Sequence, residues 1–555
     1  MIKSKWTNAI TAVVMAIVSL CTGFAMANPE ALANYSVKRS PPYVSRMDQT
    51  KILSVEIEVL ESDWNTMIEN ATVLSEKTYI PANIIINGVK VKNVGIRPKG
   101  ASSLGAAVIG GNSRFSFKIE FDHYVKGQTW LGLDKLCLNN IHADPTYMKE
   151  YFSYDIMRYI GVAHPAYSYA NISVNGETFG FYLAVEAVED SFVQRYYGNN
   201  SGELYKPDHL GNGAHMIQDV KFDIINGDLP NAVLNGQSQT RQSGLPVMNA
   251  GGANAANSLK YIDDDISSYA TIFENAVFSP TETDFQRVIT ALENLNKGTE
   301  LETYIDTDAV LRYFAAHTVV VNMDSYVSAI MHNYYLYENN GQLTIFPWDY
   351  NEAFGNFGSL TASEIVNFPI DTPVYKDIQR LDRPLIGKLL DVPEYYERYH
   401  QYLHDIVDGY FNSGVFERTF TSIETMIDNY VKSDVRPFYS YDDYRAAFPV
   451  LKELILLRAE SIENQLRGIT PSTWEQQKNN PNLLVDASSI NRTAIGSGGG
   501  INVIENGANI SAIPDNKKIG ENDGDEPLRG VISVQPFPGI LEEINEPDRY
   551  PNQDE

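Results

Sequence analysis

Apolar and polar residues alternate from Lys51 to Leu60 (KILSVEIEVL) and from Pro81 to Lys92 (PANIIINGVKVK), the period of half-buried strands, and Asn87-Gly88 predicts a tight hairpin turn inside the second run. ESDWNTMIEN between them predicts a short helix. Val94 to Ile96 continues the sheet, and after a loop carrying Gly105, Gly110 and Gly111 the alternation returns from Arg114 to Phe121. Asp144-Pro145 predicts a helix start, with Asp as N-cap and Pro in the first turn, running TYMKEYFSYDIMRYIG to a stop at Gly161. Alternation around Asn175-Gly176 gives a second hairpin, whose strand Phe179 to Val185 leads to Glu186 and a helix-like DSFVQRYYG. Glu203 to Lys206 follows as a short strand.

Beyond Leu259 the period changes to that of core-facing helices, in YIDDDISSYATIFENAV, DFQRVITALENLNKG and DTDAVLRYFAAHTVVVNMDS. One more hairpin, HNYYLYENNGQLTIFPW, interrupts the helices, which resume from Val374 to Arg467. The pattern is α+β, with a β-rich front and a mostly helical rear. Residues 208–258 are rich in Gly, Asn, Gln and Ser without a period, and read as an insertion or mobile loop. From Gly468 the chain turns to Pro, Gly, Asn and acids, so 468–555 reads as an acidic, disordered tail with Val531 to Leu541 as a candidate docking strip. At the other end, Lys3 and Lys5 precede an apolar run from Ala9 to Ala25, and Ala25-Met26-Ala27 fits a signal-peptidase site. Residues 1–27 are expected to be a cleaved signal peptide and 28–50 a linker, with a secreted product, periplasmic or extracellular. No later stretch is apolar for long enough to span a membrane.

The 555 residues carry a formal charge of -27, which argues against nucleic acid or anionic lipid as partners and fits a basic protein substrate. A chain this acidic binds a nucleotide only through local cations and a metal. Cys21 leaves with the signal, and Cys137, alone inside LDKLCLNNI, is expected to be a buried small residue.

Asp324 ends an apolar helix, Asn333 opens the hairpin and Asp349 lies at its exit. Phosphoryl transfer needs one carboxylate to orient or deprotonate a nucleophile, and a second carboxylate with an amide oxygen to hold the metal. The competing reading of the same residues is an N-cap and simple turn chemistry. Arg97-Pro98-Lys99-Gly100-Ala101-Ser102-Ser103 opens a loop whose backbone and cations suit phosphate, although most such loops only connect. Lys118 alternates within its strand, and Glu150 on the next helix is either its ion-pair partner or a solvated neighbour of Lys149. Asp263, Asp264 and Asp265 read better as a turn and helix cap than as a metal cluster.

Taken together, RPKGASS, SFKIEFD, the M-K-E helix start, Gly180-Phe181-Tyr182 with Glu186, Leu204-Tyr205-Lys206, NMDSY, HNYYLY and IFPWDYNEAFG resemble the CotH family of spore-coat kinases, from Val55 to Arg467. The resemblance implies an atypical protein-kinase-like, two-lobed domain over 51–467, with a β-rich small lobe about 51–188 and a helical large lobe about 189–467. It implies an exported kinase using ATP and Mg2+ or Mn2+ to phosphorylate Ser or Thr of secreted or surface proteins, with Asp324 as the catalytic acid and Asp349 as metal ligand. Asn333 joins the metal set by order of motifs, and Lys118, Glu150, Arg97, Lys99, Ser102, Ser103 and Glu186 are assigned to the nucleotide. Asn351 departs from the family, where many relatives carry a further acid. AMP transfer on the same fold, and a non-catalytic adhesin or structural scaffold, remain as alternatives.

Overall fold

The computed structural model describes residues 40–73, 77–100, 103–104, 107, 113–198, 202–208 and 253–496. The signal-peptide stretch, Ser102, most of the 208–258 insertion and the Val531–Leu541 strip lie outside them.

Helix α1 (Pro42–Arg46) leads into β1 (Leu53–Val59), α2 (Glu61–Val73), β2 (Ile80–Ile86), β3 (Val89–Lys99), β4 (Ser116–Glu120), β5 (Lys135–Asn139), α3 (Lys149–Ile160), β6 (Tyr167–Val174) and β7 (Glu177–Glu186). The strands form a closed barrel in the order β1-β2-β3-β4-β5-β7-β6. Its seam is a parallel pairing of β1 with β6, from Leu53 opposite Ala170 to Ile57 opposite Val174. The expected turns hold: Asn87 with Gly88 and Asn175 with Gly176 have positive φ at both positions, the backbone of the turn that suits twisted hairpins. Ile57, Ile84, Ile96, Phe117, Ile119, Leu136, Leu138 and Ile172 fill the interior. Helix α2 adds Trp64, whose ring lies 5.3 Å from Phe117 and 5.5 Å from Phe179.

The outer face of β5, β7 and β6 is also apolar. Cys137, Tyr167, Tyr169, Phe181, Leu183 and Val185 join a second, larger core with α3 and the helical rear. Cys137 is buried there, as its neighbours suggested. This rear comprises α4 (Asp190–Tyr197), β8 (Glu203–Tyr205), α5 (Glu282–Lys297), α6 (Thr307–Val320), β9 (Tyr334–Asn339), β10 (Gln342–Pro347), α7 (Pro384–Leu390), α8 (Pro393–Ile406), α9 (Val415–Lys432), α10 (Tyr441–Leu466) and α11 (Trp474–Asn479). Strands β10, β9 and β8 form a small sheet. A buried ion pair, Arg114 Nη1 to Asp434 at 2.6 Å, fastens the barrel to the turn between α9 and α10, and Arg114 Nε donates to Asn140 O at 2.8 Å. Among the described residues no helix is long and apolar enough to cross a membrane.

The structure corrects the sequence pattern in several places. Helix α3 starts at Lys149, with Met148 rather than Asp144 at the N-cap position, because Asp144 first turns the chain through the Thr146 amide and then accepts the Lys149 amide at 2.8 Å. The helical run from Leu259 is broken, since the Tyr269 hydroxyl takes the amides of Ile262 and Asp263. Asp265 caps only a short 3-10 turn there. Strand β5 carries no alternation and was not foreseen. Residues 468–496 are packed rather than part of a tail. They bond through side chains to backbone, as in Trp474 Nε1 to Val374 O at 2.9 Å and Gln477 Nε2 to Asn367 O at 2.6 Å, which a search for apolar periods does not register.

Candidate active site

The barrel contributes one wall. Register places Arg97 opposite Lys118 and Lys118 opposite Cys137, with Lys99 opposite Ser116 in the next row. Ile96, Ile119 and Leu136 point inward, so this cationic set lies on the outer face. Lys99 Nζ donates to Asn139 Oδ1 at 2.6 Å, and Asn139 Nδ2 donates to both oxygens of Glu150, at 3.1 and 3.0 Å. Tyr154 adds its hydroxyl at 3.2 Å. Glu150 is therefore linked to Lys99 through an amide, and not to Lys118. Lys118 pairs instead with Glu189, which also binds Lys135 at 2.5 Å. The row of Lys118 runs towards the exit of β7, where Glu189 enters, whereas α3 passes the row of Lys99.

Burial, and then the charge of Asp349, push the Glu150 carboxyl up to about 7. Glu186 stands apart from this group: its carboxylate takes the hydroxyl of Tyr43, the Ala166 amide at 2.8 Å and the guanidinium of Arg195. Arg97 stacks over Tyr79 at 5.1 Å. Gly100 has φ +91, and a Cβ there would meet Ser103 Oγ at 2.4 Å, so Ser103 folds back on its own loop.

The other wall comes from the small sheet. Trp348 at the exit of β10 has Lys99 Nζ 5.5 Å and Lys206 Nζ 6.0 Å from its ring, a cation–π arrangement on both. Burial lowers the pKa of Lys206 against the pull of Asp349, with Lys99 adding to the lowering. Lys77 is lowered by burial and by Arg97, Lys206 and Lys99. Four cations thus crowd one place in an acidic protein.

Asp349 adopts φ 60, a left-handed backbone that costs a non-glycine residue energy and recurs at functional sites. Its carboxylate accepts no hydrogen bond from the described residues. Asp324 Oδ2 accepts Asn333 Nδ2 at 2.8 Å, which commits the amide nitrogen and leaves the Asn333 oxygen as a donor to a cation. His332 Nε2 lies 2.7 Å from Asp324 Oδ1. Burial opposes protonation of His332, but Asp324, Asp208 and Asp349 outweigh it and raise its pKa. Asn351 Nδ2 is spent on His142 O at 3.1 Å.

The two acids are tied from behind. His317 Nδ1 lies 2.8 Å from the Tyr350 hydroxyl and Nε2 lies 3.2 Å from Ser325 Oγ, so one buried imidazole links the neighbour of Asp349 to the neighbour of Asp324. Burial drives its pKa down to about 3, and the ring stays neutral. Arg383 Nε donates to Tyr326 O at 2.8 Å and holds the same loop. Lys77, Asn139, Glu189, Lys206, His317 and His332 were not assigned to the site from sequence. Lys206 alone carried a signal, as the cation that ends a strand-like ELYK.

Among the described residues no group of three or more His, Cys, Asp or Glu side chains is placed to hold a metal by itself. The oxygens present, Asp349 and the Asn333 carbonyl, suit a hard cation whose remaining ligands are phosphate oxygens and water, while Asp324 Oδ1 is taken by His332. The opposing cations suit those phosphates. The donor set therefore fits a metal-bridged polyanion.

The family model described as CotH kinase protein matches residues 96–462. The chain is also similar to Inner spore coat protein H of Bacillus subtilis (strain 168), 22% identical over 353 residues, which covers 62% of this chain and 81% of the relative. The matched span holds α3, both acids and most of the helical rear, well over half of the 555 residues, and this protein belongs to the CotH kinase protein family.

Proposed function

We propose that this protein is an exported kinase that transfers the γ-phosphate of ATP to Ser or Thr of secreted or surface proteins, with the barrel as the small lobe of a kinase-like fold. The observation that carries it is the pair of acids, Asp324 held by Asn333 and Asp349 on a strained backbone, facing Lys99 and Lys206. Asp324 orients the acceptor hydroxyl and takes its proton. The hydroxyl oxygen bonds to the γ-phosphorus as the bond to the β–γ bridging oxygen breaks, and ADP leaves with that electron pair. Lys99, held by Glu150 through Asn139, and Lys206 neutralise phosphate charge. Asp349 and the Asn333 oxygen would hold Mg2+ or Mn2+, which supplies electrophilic stabilisation of the phosphates when bound. The apolar N-terminal run before Ala27 supports export, and the name of the Bacillus subtilis relative supports a surface or coat location.

The test is label transfer to a basic or Ser-rich acceptor protein with Mg2+ or Mn2+, using γ-labelled and α-labelled ATP in parallel. Transfer from the γ position alone, abolished by Asp324→Ala and by Asp349→Ala, is the expected result. Transfer from the α position would replace phosphate by AMP in this reading, and no transfer from either would overturn catalysis.

A further inference from the structure

The family-matched span ends at Ile462, but the chain stays packed through Gly496 and returns to the site. After α11, Val485 exchanges two hydrogen bonds with the Asn367 side chain, at 3.0 and 2.9 Å. Ser489 Oγ then donates to Glu453 at 2.7 Å. In the last turn, Arg492–Ile495, the Arg492 guanidinium donates to Gly355 O at 2.9 Å and Gly358 O at 2.8 Å. Those carbonyls belong to the loop that leaves Asp349. Three residues on, Ile495 O accepts Lys149 Nζ at 2.5 Å.

Lys149 is fully buried, and it precedes Glu150 at the start of α3. It also donates to Ala143 O at 3.2 Å, and the same carbonyl takes Asn356 Nδ2 from the Asp349 loop at 3.1 Å. The approach is close enough that a Cβ on Gly496 would fall 2.6 Å from Ala143 O. One short segment thus touches both the loop of Asp349 and the foot of the helix that carries Glu150. If the segment leaves, the buried Lys149 ammonium keeps only Ala143 O and the carbonyls of Gly355 and Gly358 lose the Arg492 guanidinium, a loss that is costly in the interior.

We infer that residues 484–496 are a clasp which fixes the Asp349 loop against the start of the Glu150 helix, with Arg492 and Lys149 as positioning residues. The clasp lies beyond the family-matched span, so a chain cut at that boundary keeps every candidate site residue and loses their spacing. Its effect on turnover rests on the kinase reading, whereas its effect on the loop does not.

The experiment compares the full chain, a chain ending at Gly496, a chain ending at Leu483, and the variants Arg492→Ala and Arg492→Lys. Hydrogen exchange is followed in peptides spanning 349–358, with γ-label transfer measured alongside. Ending at Gly496 is expected to change neither. Arg492→Ala is expected to speed exchange in 349–358 by about tenfold and to lower kcat by about ten- to a hundredfold while KM for ATP moves far less. Arg492→Lys should recover part of both. If the chain ending at Leu483 does not fold, Arg492→Ala decides alone. Unchanged exchange in 349–358 overturns the clasp, and faster exchange with an unchanged kcat overturns the positioning role. Faster exchange in a chain whose full-length parent transfers no label leaves the clasp standing and removes the kinase.

Discussion

Glu150 is a carboxyl group placed where its charge is disfavoured, and that has a measurable sign. Burial and Asp349 raise it from 4.5 to about 7, against the pull of Asn139, Lys99 and Tyr154. Between those values the native state holds a proton that the unfolded chain has released. Stability from this group therefore falls as pH rises through the window and levels off above about 7, with a slope approaching about 1.4 kcal/mol per pH unit. Glu150→Gln should flatten the profile of melting temperature against pH from 4.5 to 7 and gain most over the parent above 7. Superimposable profiles would show that Glu150 is ionised throughout. The identity of this acid was legible in the sequence, but its partner was not. Lys99 and Lys118 both alternate outward on neighbouring strands, and only the folded structure separates them, with Lys118 opposite Cys137 and Lys99 bonded to Asn139. Asp324, Asn333 and Asp349 were legible because each ends or opens an apolar run. His317 was not, since a histidine inside an apolar helix looks the same whether it fills space or links two loops.

At the scale of elements, the site depends on α6 and β10 delivering their acids at a fixed separation. His317→Ala removes the link between Ser325 and Tyr350 and leaves a cavity, and we expect a loss of about 2–4 kcal/mol together with a lower kcat. Tyr350→Phe keeps the ring and removes only the hydroxyl. It should cost about 1 kcal/mol and still reduce kcat, measured by label transfer beside urea denaturation. An unchanged kcat in both variants would confine His317 to packing. The hairpins were readable from their Asn-Gly turns and alternating strands. Strand β5 was not, because KLCLN has one face in each of two cores and shows no alternation. The segment from Gly468 to Gly496 escaped for the opposite reason: its buried apolar residues, Ala487, Ile490 and Ile495, are scattered without a period, and side-chain amides, an indole and a guanidinium bond it to the backbone.

The whole molecule carries a charge of -27 yet gathers Lys77, Arg97, Lys99 and Lys206 in one place. Repulsion among these cations weakens the native state, so a polyanion that fits between them should stabilise it. Inorganic tripolyphosphate with Mg2+ is expected to raise the melting temperature, approaching about 2.7 kcal/mol at a hundredfold excess over its dissociation constant. The gain should shrink as salt screens the cluster, and Lys99→Ala with Lys206→Ala should abolish it. An equal shift in that double variant would place the anion elsewhere. The parallel seam that closes the barrel has a further consequence, for how the chain acquires its shape. β1 is made early, but one of its edges finds its partner only when β6 has been made, because Leu53 pairs with Ala170. Closing a contact over so long an interval is slow, and until then the edge is open to strands from other molecules. Helix α3 lies within that interval, so the arrival of β6 at β1 governs both when Glu150 is locked in place and how long the growing chain is exposed to misassociation.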